Sequence, residues 1–371
     1  MVCAGEASGD QHAAAFIRHL RALDSSIDFV GMGGNATRPL MRQVVDASDL
    51  AVVGLFEVLA KYSELRRALD RMKRVLSEEK PDLLVCVDYK EFNFQLAKYA
   101  KSIGVKVLFY VSPQVWAWRE DRVKAYGEVI DHMAVIFPFE TAYYARENIP
   151  CTYVGHPSLD AVKPTASVDS MRRVLGLSEA QPVLGLMPGS RANEVKRLLP
   201  DMLGAAEILQ SKFPFLQVVL LQASSVKSEW LQEYELGQVK VVNNQTYNAL
   251  QCCDAVITAS GTASLETAIL GVPLTIIYRL SPLTYLLSKW LVKTPFIGLP
   301  NIVAGRQIAT EFLQSEILPS ALAGEAERLL FNEPVRQQIF ADLDEVRAKL
   351  GEGGGSRNLA ELAHKMLINV L

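Results

Sequence analysis

Val107-Leu108-Phe109-Tyr110-Val111 runs directly into Ser112-Pro113-Gln114-Val115-Trp116-Ala117-Trp118-Arg119. Five apolar residues in a row, rich in β-branched and aromatic types, predict a strand covered on both faces, as in a parallel sheet. The carboxyl end of such a strand points at the ligand crevice, so the segment with two tryptophans and an arginine is a candidate for recognition. The same residues also suit a rigid, Pro-initiated loop whose indoles plug the core, the commoner use of buried aromatics.

Working outward, short apolar runs alternate with longer helix-patterned stretches along the chain. Strands are expected at Met1 to Ala4, 28–31, 83–88, 105–111, 133–137 and 152–155, then at 183–187, 218–222, 239–242, 255–258 and 274–278. The two series are separated by residues 157–168, which hold Pro157, Pro164 and several small residues. At 371 residues the chain exceeds one ordinary core. The expected class is therefore α/β, with two doubly wound, Rossmann-like domains facing a cleft. Their bounds are taken as 1–163 and 164–349, and residues 311–371 are read as helical apart from the glycine break at 351–355.

Half the residues are hydrophobic, 21% are charged, and the formal net charge is -3. A general nucleic-acid binder, basic over a whole face, is disfavoured. No apolar run reaches the roughly 18 residues that span a bilayer. Cys3, Cys86, Cys151, Cys252 and Cys253 show no metal or CxxC spacing. Their odd count suits a reducing cytoplasm. A native chain that begins a few residues earlier is left open.

Pro188-Gly189-Ser190-Arg191 follows the strand at 183–187 and precedes a helix. A small-residue loop at a helix start offers backbone N–H groups and the positive dipole end to an anion, and Arg191 adds a fork of donors. An ordinary turn with a surface arginine is the competing reading. Ser260-Gly261-Thr262 repeats the logic after the strand at 255–258, and Glu266 falls about one turn into the next helix. There a carboxylate can accept ribose hydroxyls. It can equally be a surface glutamate favoured by the dipole. Two such loops favour a nucleotide, and neither is a GxxxxGK[ST] P-loop.

Together with Gly5-Glu6-Ala7-Ser8-Gly9-Asp10, Val154-Gly155-His156-Pro157, Glu194, Ser264-Leu265-Glu266 and Leu299-Pro300-Asn301, these motifs resemble, in this order, the lipid-A-disaccharide synthase family. The resemblance implies the GT-B glycosyltransferase fold, with a C-terminal helix of about 350–371 crossing back to the first domain. It implies UDP-sugar contacts from Ser190, Arg191, Thr262 and Glu266, with Arg279 and Asn301 as accessory donors. The acceptor then belongs to the first domain, at Gly5, Ser8, Gly9, Asp10, Trp116, Trp118, Arg119 and His156. Gly5 and Gly9 would let substrate approach the backbone. Asp10 also suits a helix N-cap and His156 a structural role.

Inverting transfer needs a carboxylate to take the acceptor's proton. Asp88 and Glu91 in Asp88-Tyr89-Lys90-Glu91-Phe92-Asn93 are the candidates. The family pattern reads Asp-x-Pro-Asp-Phe-Asn, so Lys90 and Glu91 depart from it. Glu91 is taken as the base, with Asp88 second. The only Asp-x-Asp, Asp342-Leu343-Asp344, lies in a charged helical stretch, so neither metal nor cofactor is expected.

The resemblance implies the substrates UDP-2,3-diacylglucosamine and 2,3-diacylglucosamine 1-phosphate. It implies a peripheral seat on the cytoplasmic face of the inner membrane, no nucleic acid, and a homodimer as an open question. Residues 50–76 combine Leu55, Phe56 and Val58 with Arg66, Arg67, Arg71 and Arg74. A stripe of Leu283, Leu286, Leu287, Trp290 and Leu291 offers a second surface-seeking segment or a core face. A UDP-sugar epimerase of the same fold and a non-catalytic sugar-lipid carrier are the alternatives.

Overall fold

The computed structural model describes residues 1–50, 62–118, 121–281, 285 and 294–370. The segment holding Leu55, Phe56 and Val58, the stripe from Leu283 to Leu291, and Arg119 lie outside the described residues, as does the side chain of Trp118.

The chain divides into two compact units, Met1–Pro157 with Glu352–Leu371, and Ser158–Gly351. The boundary falls at Pro157 rather than at residue 163. In the first unit, β1 (Val2–Ala4), β2 (Val30–Gly33), β3 (Arg42–Asp46), β4 (Leu83–Val87), β5 (Lys106–Tyr110), β6 (His132–Val135) and β7 (Cys151–Tyr153) form one sheet. Their order is β3-β2-β1-β4-β5-β6-β7, and every pairing is parallel. In the second unit, β8 (Val183–Met187), β9 (Gln217–Gln222), β10 (Lys240–Asn243), β11 (Ala255–Ala259), β12 (Leu274–Tyr278) and β13 (Glu311–Leu313) form another. The order there is β10-β9-β8-β11-β12-β13, again parallel throughout.

Side-chain alternation along each strand explains the two-sided burial. Leu84 and Cys86 of β4 enter one apolar cluster with Met32, Val107, Phe109 and Met133. Leu83, Val85 and Val87 enter the opposite cluster with Phe16, Ile17 and Leu20 of the helix Ala7–Leu23. That second cluster is completed by Leu359, Ala360, Ala363 and Met366 of the final helix Gly355–Leu367. The expected return of the C-terminal helix to the first unit is thus present. Asn358 Nδ2 pins it by donating to the Val154 carbonyl at 2.8 Å. Where Gly155 and Gly355 meet, a Cβ on Gly355 would lie 2.9 Å from the Gly155 oxygen.

Two strands escaped the sequence reading. β3 and β13 lie at sheet edges, and both are only partly buried. Edge strands lack the unbroken apolar run that marks a central one. Glu311–Leu313 therefore corrects the expectation of helix from residue 311 onward. The strand expected at 28–31 runs from Val30 to Gly33. Among the described residues no helix is long and apolar enough to cross a membrane.

Candidate functional site

In a doubly wound sheet, ligands gather where neighbouring strands send their connections to opposite faces. The two strand orders place these switch points between β1 and β4, and between β8 and β11. The turns that leave those four strands carry most of the sequence motifs.

In the first unit β4 ends in a turn with two left-handed residues, Asp88 at φ 48 and Tyr89 at φ 47. The helix Lys90–Ser102 begins immediately after. The Tyr89 ring lies over Gly5, where any Cβ would collide with it. The Tyr89 ring thus excludes a side chain at residue 5. A Cβ on Gly9 would make ordinary contacts, the nearest 3.6 Å away. Ser8 is exposed in the first turn of the helix Ala7–Leu23.

Asp10 is not the N-cap of its helix, a role that Glu6 fills by position. Its buried carboxylate accepts from the backbone N–H groups of Gly34, Ala36 and Thr37 and from the Thr37 hydroxyl, at 2.6–3.2 Å. These bonds hold the loop after β2.

Asp88 is half-buried, and its backbone N–H donates to the Tyr110 carbonyl at 2.9 Å. Its carboxylate acts on His12, whose pKa burial lowers and the Asp88 charge raises. The His12 ring stands edge-on to Tyr110, with centroids 6.2 Å apart. Glu91 points elsewhere. Its side chain is 69% exposed and accepts from Arg122 Nη1 at 2.5 Å. Of the two candidate bases, Glu91 is thus engaged on the surface by an arginine, while Asp88 stands at the strand end. His12 was missed because a lone histidine inside a helix carries no pattern.

Beyond β5, Val111 is also left-handed, at φ 67, an outlier for a β-branched residue. Trp116 is buried with its ring edge-on to Phe137 and Phe139, and Nε1 donates to Glu140 Oε1 at 3.2 Å. It anchors the loop to the core, which corrects its assignment as an acceptor contact. Glu140 is buried, and burial pushes its carboxyl up to about 7 despite N–H donors from Phe137 and Trp116. His156 is buried against Phe137, with centroids 4.8 Å apart, and burial lowers it to about 4, so the ring is neutral.

In the second unit, Gly189 at φ 109 turns the chain from β8 into the helix Ala192–Lys212. The Ser190 and Arg191 amides donate to Glu194 Oε2 at 2.9 and 3.2 Å, and Arg191 Nη1 to Oε1 at 2.8 Å. The expected anion cradle already holds a carboxylate from its own helix. Arg191 remains 75% exposed. After β11, Gly261 at φ 145 heads the helix Thr262–Ile269 without a side-chain cap, and Thr262 is exposed. Glu266 is half-buried, accepts from the Tyr247 hydroxyl at 3.1 Å, and has its pKa raised mainly by burial. Tyr247 lies before β11 in sequence and was not anticipated.

Arg279 and Asn301 are corrected. Arg279 donates to the carbonyls of Arg197 and Ile317 and to Asp201 at 2.6 Å, fastening two backbone segments. Asn301 is fully buried, donates to Ala309 O and Glu311, and accepts from the N–H groups of Ile308 and Ala309. The hydrogen bonds of both side chains go to groups of the chain itself. Asp342 and Asp344 pair with Arg306 and Arg347. No group of three metal-ligating side chains occurs among the described residues.

Comparison with known proteins places this geometry. A family model described as lipid-A-disaccharide synthetase matches residues 1–366. The chain is 45% identical to a lipid-A-disaccharide synthase of Trichlorobacter lovleyi over 376 residues, covering 99% of this chain and 97% of that one. It is 42% identical to one of Geobacter sulfurreducens over 371 residues, with 99% and 97% covered. Among solved structures it resembles a putative UDP-N-acetylglucosamine 2-epimerase of Listeria monocytogenes, with TM-score 0.67, 14% identity, and 100% and 96% covered. A UDP-GlcNAc 2-epimerase of Neisseria meningitidis bound to UDP-GlcNAc gives TM-score 0.64, 13% identity, and 98% and 99% covered. MurG of Acinetobacter baumannii gives 0.57, 15% identity, and 98% of both chains. At such identities the structural likeness shows the GT-B fold and nothing finer.

Proposed function

The chain belongs to the lipid-A-disaccharide synthase family, a family of hexosyltransferases, and from that premise we propose an inverting transfer divided between the two switch points. The donor is UDP-2,3-diacylglucosamine, and its nucleotide is assigned to the second unit. The acceptor is 2,3-diacylglucosamine 1-phosphate, assigned to the first. The Asp88 carboxylate takes the proton of the acceptor's 6-hydroxyl as that oxygen bonds to the anomeric carbon from the face opposite UDP. The bond from the anomeric carbon to the diphosphate breaks, UDP leaves with the electron pair, and the product is the β-1′,6-linked disaccharide. The proton passes from Asp88 to solvent.

The observation that carries this reading is the placement of Asp88: half-buried, on a left-handed turn, at the carboxyl end of the strand that flanks the switch point. Support in the second unit comes from the Ser190–Arg191 loop, whose donors already converge on a carboxylate. Donors arranged around one anion suit another, and the exposed Arg191 guanidinium can stabilise the charge growing on the diphosphate. Glu266, with Tyr247 behind it, is assigned to the ribose hydroxyls.

Both substrates carry acyl chains, so we assign the protein a peripheral seat on the cytoplasmic face of the inner membrane. Arg66, Arg67, Arg71 and Arg74 are exposed along the helix Tyr62–Glu79, whereas Ala68, Met72 and Leu76 face the core. These arginines, interspersed with the exposed Glu64 and Asp70 of the same helix, are assigned to contact an anionic surface in a protein of net charge -3.

The test is UDP release measured with both lipids present and with each alone. Release that needs both supports the transfer. Turnover of UDP-GlcNAc without an acceptor would select the epimerase reading instead.

A further inference from the structure

Asn93 sits in the first turn of the helix Lys90–Ser102 and is fully buried. Its Nδ2 faces three backbone carbonyls: Asp88 O at 2.7 Å, and Val87 O and Cys3 O at 3.3 Å each. Three acceptors around one nitrogen fix which way the amide points. The other side-chain atom, Oδ1, is buried without a hydrogen-bond partner, and its own N–H donates to the Tyr89 carbonyl at 3.0 Å. One side chain thus ties the ends of β1 and β4 to the two-residue left-handed turn. An asparagine that leaves its acceptor unsatisfied in the interior is retained for its donors, since the orphaned oxygen is itself unfavourable.

We propose that Asn93 is the positioning residue for Asp88: its two amide hydrogens hold the carbonyls of the turn so that the carboxylate projects where the acceptor hydroxyl binds. The proposal rests on the reading of Asp88 as the base. Left-handed conformations at consecutive non-glycine residues persist only where surrounding contacts over-determine them. The Asp88 carbonyl, with the shortest of the three bonds, is the contact that does so. The acid–base groups around the amide are the Cys3 and Cys86 thiols, both raised by burial, together with Asp88 and Tyr89.

Three variants test it, each measured for turnover against pH, for UDP affinity and for cooperative melting. Asn93→Leu removes both donors at similar volume and should lower kcat by about 10- to 100-fold with UDP affinity unchanged, as a misplaced catalytic group does. Asn93→Asp supplies the sharper readout. A buried carboxyl facing three carbonyls has a raised pKa and, while protonated, donates one hydrogen to the turn. Its kcat relative to wild type at the same pH should therefore rise as pH falls. A side chain that merely stabilised the fold would change the melting temperature and leave that ratio flat.

A flat ratio in a folded Asn93→Asp protein overturns the proposal, and this variant decides even where Asn93→Leu does not fold. Asp88→Asn separates the two ideas. If it is inactive while the Asn93→Asp ratio is flat, only the role of Asn93 fails. If it turns over like wild type, Asp88 is not the base and the positioning role falls with it.

Discussion

The two sheets part their strands in the same way, yet the turns at their switch points are built from opposite materials. In the second unit the unusual backbone falls on glycine, at Gly189 with φ 109 and Gly261 with φ 145. In the first it falls on Asp88 and Tyr89, at φ 48 and 47. Glycine adopts such angles without a steric penalty and leaves the main chain bare. Side chains held there cost on the order of 1–3 kcal/mol each. A turn that presents amides to an anion needs no side chain at its bend. A turn that must aim a carboxylate needs one, and the cost is carried by the fold around it. The contrast supports the proposed binding of the nucleotide in one unit and proton transfer in the other.

The largest expected effect is at the strained turn. Asp88→Asn keeps the shape of the side chain and removes the base, so kcat should fall by roughly 10²–10⁴-fold. Steady-state turnover with both lipids checks it, and a loss below tenfold would break the contrast. At the glycine-built turn, Arg191→Ala should weaken UDP binding by about 1.5–3 kcal/mol, the worth of a contact with a charged partner. Calorimetric titration reads that loss directly.

Next comes pH. Glu140 is held near 7 in the folded state, above the ordinary carboxylate value of 4.5. Its stabilising share is complete below about 4.5 and is lost as pH rises through about 7. The melting temperature of wild type relative to Glu140→Gln should therefore decline between those values. A difference that stays constant with pH would show that Glu140 is not strained by burial.

The smallest effect belongs to Glu91. Its pair with Arg122 is on the surface, where such pairs contribute about 0.2–1 kcal/mol. Glu91→Gln should keep kcat within about twofold. A loss like that expected of Asp88→Asn would restore Glu91 as the base.

Both sheets were legible in the sequence where strands are covered on both faces. β4 and β8 are buried at every position and read as unbroken apolar runs. β3 and β13 were not legible, because each is only partly covered and offers just two adjacent apolar residues, Val44-Val45 and Phe312-Leu313. The motifs did mark the switch-point turns, since glycines and polar residues after a buried strand have few other reasons to cluster. What each side chain does there depended on partners far along the chain. Asp10 meets the loop at Gly34–Thr37, Asn301 meets Glu311, and Trp116 meets Glu140. No local pattern tells a polar residue satisfied by the fold from one left for a ligand. Glu91 has such a distant partner too: Arg122, 31 residues on, holds it.

The division of labour is tested most directly by titrating UDP into Asp88→Asn and Arg191→Ala side by side. Asp88→Asn should bind UDP with wild-type affinity despite its fall in kcat, while Arg191→Ala should bind at least about tenfold more weakly. Wild-type UDP affinity in Arg191→Ala, with the loss appearing in Asp88→Asn instead, would contradict the assignment of the nucleotide to the second unit and of proton transfer to the first.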